Sequence, residues 1–265
     1  MKKSIMAIFA VIFTATLWAA EMPKEFSVTC GNLKVTFSER TFWNLRGVVF
    51  KGRNVTSPKS WYGTVTAGQP GIKGWVGSGH MENGIGEKNL KLSMKLDGKE
   101  WTPSSAENNG KDFELTKESD LGYMHLVYNI KVSGDTVTEE VKFNMLERKI
   151  IQIYHFMLPL DNSFKTYTVQ NSDGEIINGE FKGKEENIYL KKPAVFTAYS
   201  PSLQTKVICK LENTDVVSKD SSIRLHDRAS FRKFYFIPAP RIKISAGKVY
   251  NQKMTTTFID EKKEK

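Results

Sequence analysis

The stretch MHLVYNIKVSGDTVTEEVKFNML, Met124 to Leu146, decides the fold. Met124, Leu126, Tyr128, Ile130 and Val132 recur every second residue, which gives a strand one covered and one wet face. Ser133-Gly134-Asp135 interrupts the run, and a second strand follows from Thr136 to Leu146; Gly and Asp between two such runs predict a β-hairpin. The same period of two holds outward in both directions. Leu90, Leu92, Met94 and Leu96 alternate with Lys91, Ser93 and Lys95. KIIQIYHFML (Lys149–Leu158) is apolar on both faces and belongs in the middle of a sheet covered on both sides. Further strands fit Phe26–Cys30, Leu33–Phe37, Phe42–Phe50, Phe113–Lys117, Phe164–Gln170, Glu175–Phe181, Ala194–Tyr199, Thr205–Leu211, Phe231–Ile237 and Val249–Ile259. No stretch carries a 3.6-residue apolar stripe with caps. The expectation is an all-β chain, a large antiparallel β-sandwich over residues 21–259, with two smaller sandwiches divided near Leu160–Ser163 as the alternative.

The ends differ from this middle. Lys2 and Lys3, an apolar run from Ile5 to Trp18, and Ala19-Ala20 are the three parts of a secretory signal peptide, so residues 1–20 predict export to a periplasmic or extracellular location. The run is too short to span a bilayer and no second one follows, so no transmembrane segment is expected in the mature chain. Asp260 to Lys265 reads as a flexible charged tail. Two cysteines, Cys30 and Cys209, leave two readings open in an oxidising compartment: a disulfide, or two buried thiols on alternating strands. A cysteine metal site is not expected from two residues, and nothing in the sequence calls for a cofactor. Formal net charge is +10, concentrated between Lys182 and Lys253, where 15 Lys/Arg stand against 6 Asp/Glu. An exported basic surface suits an anionic partner such as an acidic polysaccharide; no base-reading module is visible, so nucleic acid is not expected.

Candidate chemistry gathers in Trp61–Glu87, where eight glycines share a loop with Trp61, Tyr62, Trp75, His80 and Glu82. Glycines let backbone approach a ligand, and aromatic rings stack on the apolar face of a sugar ring. Trp61, Tyr62 and Trp75 are therefore expected to bind carbohydrate, with His80 and Glu82 as catalytic candidates. His155 shares the apolar pattern of Ile151 and Ile153, which favours a hydrogen-bonded core histidine, and is also the third catalytic candidate. In IRLHDR, a strand would point Arg224, His226 and Arg228 one way and Asp227 the other, giving three donors suited to a carboxylate or sulfate. A polysaccharide lyase acting on an anionic glycan could be assembled from His155, Arg224, Arg228 and Tyr250. A non-catalytic envelope protein is the remaining alternative.

Ser245–Tyr250, SAGKVY, leading into a final strand, resembles the galactose-mutarotase-like supersandwich, whose members often enter a late strand through Ala-Gly-x-x-Tyr. That resemblance spans nearly all of residues 21–259 and implies a supersandwich with a sugar-facing site. The catalytic His and late catalytic Glu of active mutarotases have no recognisable counterpart here, so the resemblance implies fold more than epimerase activity. A second, more local likeness, of Ala246–Gln252 (AGKVYNQ) and Gln152–His155 (QIYH) to jelly-roll alginate lyases, is broken by one extra residue in each motif, which turns a side chain to the opposite face of a strand.

Overall fold

The computed structural model describes residues 22–60, 62–67, 74–78, 80–81, 86–212 and 215–262. Among them, 22 strands form three sheets of ten, seven and five strands. The hairpin Met124–Ser133 and Thr136–Met145 lies inside the ten-stranded sheet, with Ser133 opposite Thr136 and Gly134 at φ 56, a left-handed turn position that glycine accepts without penalty. Val249–Asp260 pairs with Thr136–Met145 on one side and Thr205–Glu212 on the other. The alternation is literal: in Asp112–Asp120, Phe113, Leu115, Lys117 and Ser119 are buried while the residues between them are wetter.

One face of this sheet is covered by the two smaller sheets. Phe196 stacks on Phe234 of the seven-stranded sheet at 5.0 Å, and Phe113 meets Phe37 of the five-stranded sheet at 5.3 Å. The two covering sheets join where the chain after Asn54 meets the end of Lys149–Leu160, through a bridge between Thr56 and Leu160 and a hydrogen bond from Ser57 N to Pro159 O (2.8 Å). One apolar core draws on all three sheets. With roughly 1.5–3 kcal/mol per buried large apolar side chain, this shared core couples them into one sandwich.

Three expectations change, and one open alternative closes. The run Phe42–Phe50 begins as a strand only at Leu45. Before it, Glu39–Thr41 forms a 3-10 turn and Phe42 and Trp43 take φ 54 and 59, held by Thr41 Oγ1 donating to Ser38 O (3.1 Å) and Asn44 Nδ2 donating to Thr41 O (2.8 Å). The strand from Phe231 does not stop at Ile237 but continues to Ile244, carrying Pro238 and Pro240 inside it. Proline offers no ladder N–H, and the pairing with Lys149–Leu160 shifts register across both prolines. Asp260 is not tail: it closes the last strand and pairs with Lys51 (3.1 Å) and Arg53 (3.2 Å). Finally, no bridge joins Cys30 and Cys209. Both are buried free thiols on different sheets, and Cys209 Sγ lies 3.6 Å from Thr256 Oγ1. The expected leader, residues 1–20, lies outside the described residues. Among those described, no helix is long and apolar enough to cross a membrane.

Candidate functional site: the open face of the seven-stranded sheet

Lys149–Leu160 is the middle strand of its sheet, between Phe231–Ile244 and Val65–Ala67. Phe156 sits at φ 51, which breaks the alternation so that His155 and Phe156 both turn toward the main core. Tyr154 and Met157 turn the other way. They form a second, smaller cluster with Val65 and Ile237, over which Trp75 and Tyr235 pack. The doubly apolar reading of KIIQIYHFML is thus correct for a strand with a large core on one side and a small aromatic one on the other.

Beyond that cluster, the hairpin of Ser222–Arg228 and Phe231–Ile244 pairs Arg224 with Tyr235 and His226 with Lys233. The edge strand Glu186–Lys191 adds Tyr189 opposite Arg224 and Asn187 opposite His226. Directly paired residues share a face, so two cross-strand rows result: Tyr189, Arg224, Tyr235 and Asn187, His226, Lys233. The Arg224 guanidinium lies 5.8 Å from the Tyr189 ring, 5.8 Å from Tyr235 and 6.0 Å from Tyr154. Its Nε donates to Asn187 Oδ1 (2.6 Å) and Nη1 to Tyr154 Oη (3.4 Å). Trp75 lies against Tyr154 at 4.6 Å, Tyr154 meets Tyr235 edge-on at 5.4 Å, and Gln152 Nε2 donates to Tyr154 Oη (3.0 Å). Each cation–ring contact contributes about 0.5–2 kcal/mol, so three together fix the guanidinium in place.

The face is electrostatically one-sided. Arg228 Nε donates to His226 Nε2 (2.7 Å) and Nη1 pairs with Glu185 at the rim (2.5 Å). Burial, then the charges of Arg228 and Arg224, hold His226 down at about 4, so its ring is neutral and Nδ1 carries the proton. Lys233 is 4% exposed, its Nζ lies 5.0 Å over the Tyr235 ring, and burial pulls its ammonium down to about 7. Burial also pushes the Tyr235 phenol up to about 12 and raises Tyr154. Among the described residues, no carboxylate comes within 4.0 Å of Arg224 or Lys233.

Of the residues expected at a site, Arg224, His226, Arg228 and Trp75 stand on this sheet's open side. IRLHDR is a strand, with Asp227 facing inward to pair with Arg232 (3.0 Å). Tyr62 does not stand on this face. It is 2% exposed in the main core, and burial raises its phenol well above the ordinary range. His155 takes the core position that its apolar pattern favours: it is fully buried, its Nδ1 shares a 2.8 Å hydrogen bond with Thr64 Oγ1, and burial lowers it to about 3. Because His155 faces the core while Arg224 and Arg228 face outward, and Tyr250 stacks on Phe143 at 5.1 Å in the sandwich interior, the lyase constellation does not converge. Trp61 and Glu82 lie outside the described residues. His80 pairs with Gly77 in a two-residue strand. Two loop glycines serve packing. A Cβ on Gly63 (φ 116) would strike Ser78, and one on Gly77 (φ 128) would strike the Thr64 carbonyl. Among the described residues, no group of three or more His, Cys, Asp or Glu is placed to hold a metal ion.

Sequence reasoning missed Tyr154, Tyr189, Tyr235, Lys233 and Asn187. The hairpin held a usable signal: closing Arg228 onto Phe231 across Ala229-Ser230 places Lys233 beside His226 and Tyr235 beside Arg224.

With this geometry in view, comparison with solved structures is informative about fold. A putative aldose 1-epimerase from Escherichia coli K12 superposes with a TM-score of 0.52 at 11% identity, covering 89% of this chain and 98% of that one. A galactose 1-epimerase from Lactobacillus acidophilus gives 0.55 at 11% identity, covering 88% and 92%. The fold is the galactose-mutarotase-like supersandwich. An α-galactosidase from Geobacillus stearothermophilus contains it as a part, with a TM-score of 0.56 at 7% identity over 90% of this chain and 41% of that one. No family model and no curated protein sequence matches this chain.

Proposed function

We propose that this supersandwich binds carbohydrate on the open face of its seven-stranded sheet, outside the cytoplasm as its leader-like residues 1–20 imply. The observation that carries the reading is the Arg224 guanidinium fixed among the rings of Tyr154, Tyr189 and Tyr235, with Trp75 against Tyr154. Flat rings offer stacking surfaces for a pyranose, and Arg224, Asn187, Gln152 and His226 supply directional partners for hydroxyls. The solved aldose and galactose 1-epimerases and the α-galactosidase that share this fold are sugar-acting proteins, which agrees with this reading. Tyr189, 58% exposed, marks the outer rim of the surface. The test is retention on a panel of immobilised polysaccharides: the protein binds at least one, and Trp75→Ala or Tyr189→Ala lowers affinity about tenfold, as loss of about 1.4 kcal/mol of stacking requires. Retention unchanged in both variants would remove this face from consideration.

A second reading, proton transfer to or from the bound sugar, is favoured by one group. Lys233 is a buried amine held near neutrality, the condition a general base needs at physiological pH. It predicts that anomer interconversion of a reducing sugar, followed by polarimetry, is accelerated by the protein and not by Lys233→Met.

A further inference from the structure

Arg224 and Lys233 share an unusual condition. Each is a cation on the open face, each lies over an aromatic ring, and neither has an acid partner among the described residues. Lys233 is more than nine-tenths buried. A buried cation without a counter-charge is costly; Lys233 is one, and the partly buried Arg224 stands across the same strand pair, in the rows Arg224–Tyr235 and His226–Lys233. Arg224 is also oriented: Asn187 takes Nε and Tyr154 takes one Nη1 proton, which leaves Nη2 and the remaining Nη1 proton as a fork with no partner among the described residues. Between the two cations stands neutral His226, whose Nδ1–H donates, while Arg228 is already engaged by His226 and Glu185.

We infer that the face recognises a sugar bearing an oxyanion, a carboxylate, sulfate or phosphate, whose negative group is held by the Arg224 fork and Lys233 while its ring stacks on the tyrosines. This rests on the carbohydrate reading and narrows its substrate class. The missing counter-charge is then the ligand's. Bidentate Arg–oxyanion pairing supplies the geometry and Lys233 the second charge. The groups facing Lys233 fix the sign of a pH effect. The guanidinium groups of Arg224 and Arg228 on the neighbouring strand are fixed charges by their chemistry, His226 is held down at about 4 and burial raises the Tyr235 and Tyr154 phenols, so Lys233 is the group brought near neutral pH. Its ammonium is present below about 7 and lost above it. Affinity for an anionic ligand therefore falls as pH rises from 6 to 9, and affinity for a neutral one does not.

Three matched pairs test this by titration calorimetry with the purified protein: oligogalacturonate against its methyl ester, dextran sulfate against dextran, and glucose 6-phosphate against glucose. The expected result is that the charged member of at least one pair binds ten-fold or more tightly, identifying which oxyanion is meant. Arg224→Gln should erase that preference, Arg224→Lys should restore it only in part for want of the fork, and Lys233→Met should flatten the pH dependence; circular dichroism confirms that each variant is folded. Equal binding of charged and neutral members overturns the oxyanion assignment and leaves the carbohydrate reading standing. Absence of binding to all six defeats the carbohydrate reading, and this inference with it.

Discussion

The outward faces of the ten-stranded and seven-stranded sheets are built from the same alternation and end in opposite surfaces. On the ten-stranded sheet, outward charges are matched across strands: Lys131 with Glu114 (3.1 Å), Lys253 with Glu212 (2.8 Å), and Lys91 with Glu118 (3.8 Å). On the seven-stranded sheet, rings and cations gather, and the described carboxylate that joins them, Glu185, stands at the rim. Exposed pairs like those of the first face contribute about 0–1 kcal/mol and serve solubility. A face that clusters tyrosines around an arginine with no acid partner among the described residues serves no such end, and its surplus charge is why the proposal rests on this side.

The largest expected effect breaks the link between the two sheets. Lys117 is buried inside the ten-stranded sheet and pairs with Glu87 (2.6 Å), which also accepts from Ser78 (2.7 Å), just beyond Trp75 in the chain. Burial lowers the Lys117 ammonium from its ordinary value, against the pull of Glu87. Lys117→Met leaves Glu87 buried and unpaired and should cost about 3–5 kcal/mol in denaturant unfolding, with Lys117→Met/Glu87→Met recovering much of it. If the single variant were as stable as wild type, the ion pair would not tie this segment to the core.

Glu139 sharpens the contrast through pH. Burial raises its carboxyl to about 7 although Tyr128 Oη donates to it. A folded value above the unfolded one means that its stabilising contribution is present below about 4.5 and is lost as pH rises through 7. Glu139→Gln should therefore gain on the order of 2–3 kcal/mol at pH 8 and little at pH 4. The Lys233 titration, in the same pH range, should show in ligand binding instead. On the ten-stranded sheet the near-neutral group weighs on stability; on the seven-stranded sheet the proposed role of Lys233 puts its titration into binding. Smaller still, Lys131→Ala on the outward face of the ten-stranded sheet should change stability by no more than about 0.5 kcal/mol and leave glycan retention untouched; a loss of retention there would undo the contrast between faces.

Much of the fold was legible because period-two burial is written residue by residue from Met124 to Met145 and needs no distant partner. Arg224, His226 and Arg228 were placed on one face by the same rule. Where local order gave way to pairing, reading failed. The φ of 51 at Phe156 turns Phe156 and Met157 against the alternation that governs Ile151, Ile153 and Tyr154, and Pro238 and Pro240 conceal a strand that continues through register shifts. Tyr62 has the composition of a ligand residue and the location of a core one. Its burial depends on sheets that meet only in three dimensions.

The two unbridged sulfurs give the molecule internal clocks. Burial pushes Cys30 up to about 11 and Cys209 up to about 12, so neither forms the nucleophilic thiolate while its sheet is closed. Cys30 belongs to the five-stranded sheet and Cys209 to the ten-stranded one. Their separate rates of alkylation would time the opening of each layer, with native residues as the timers.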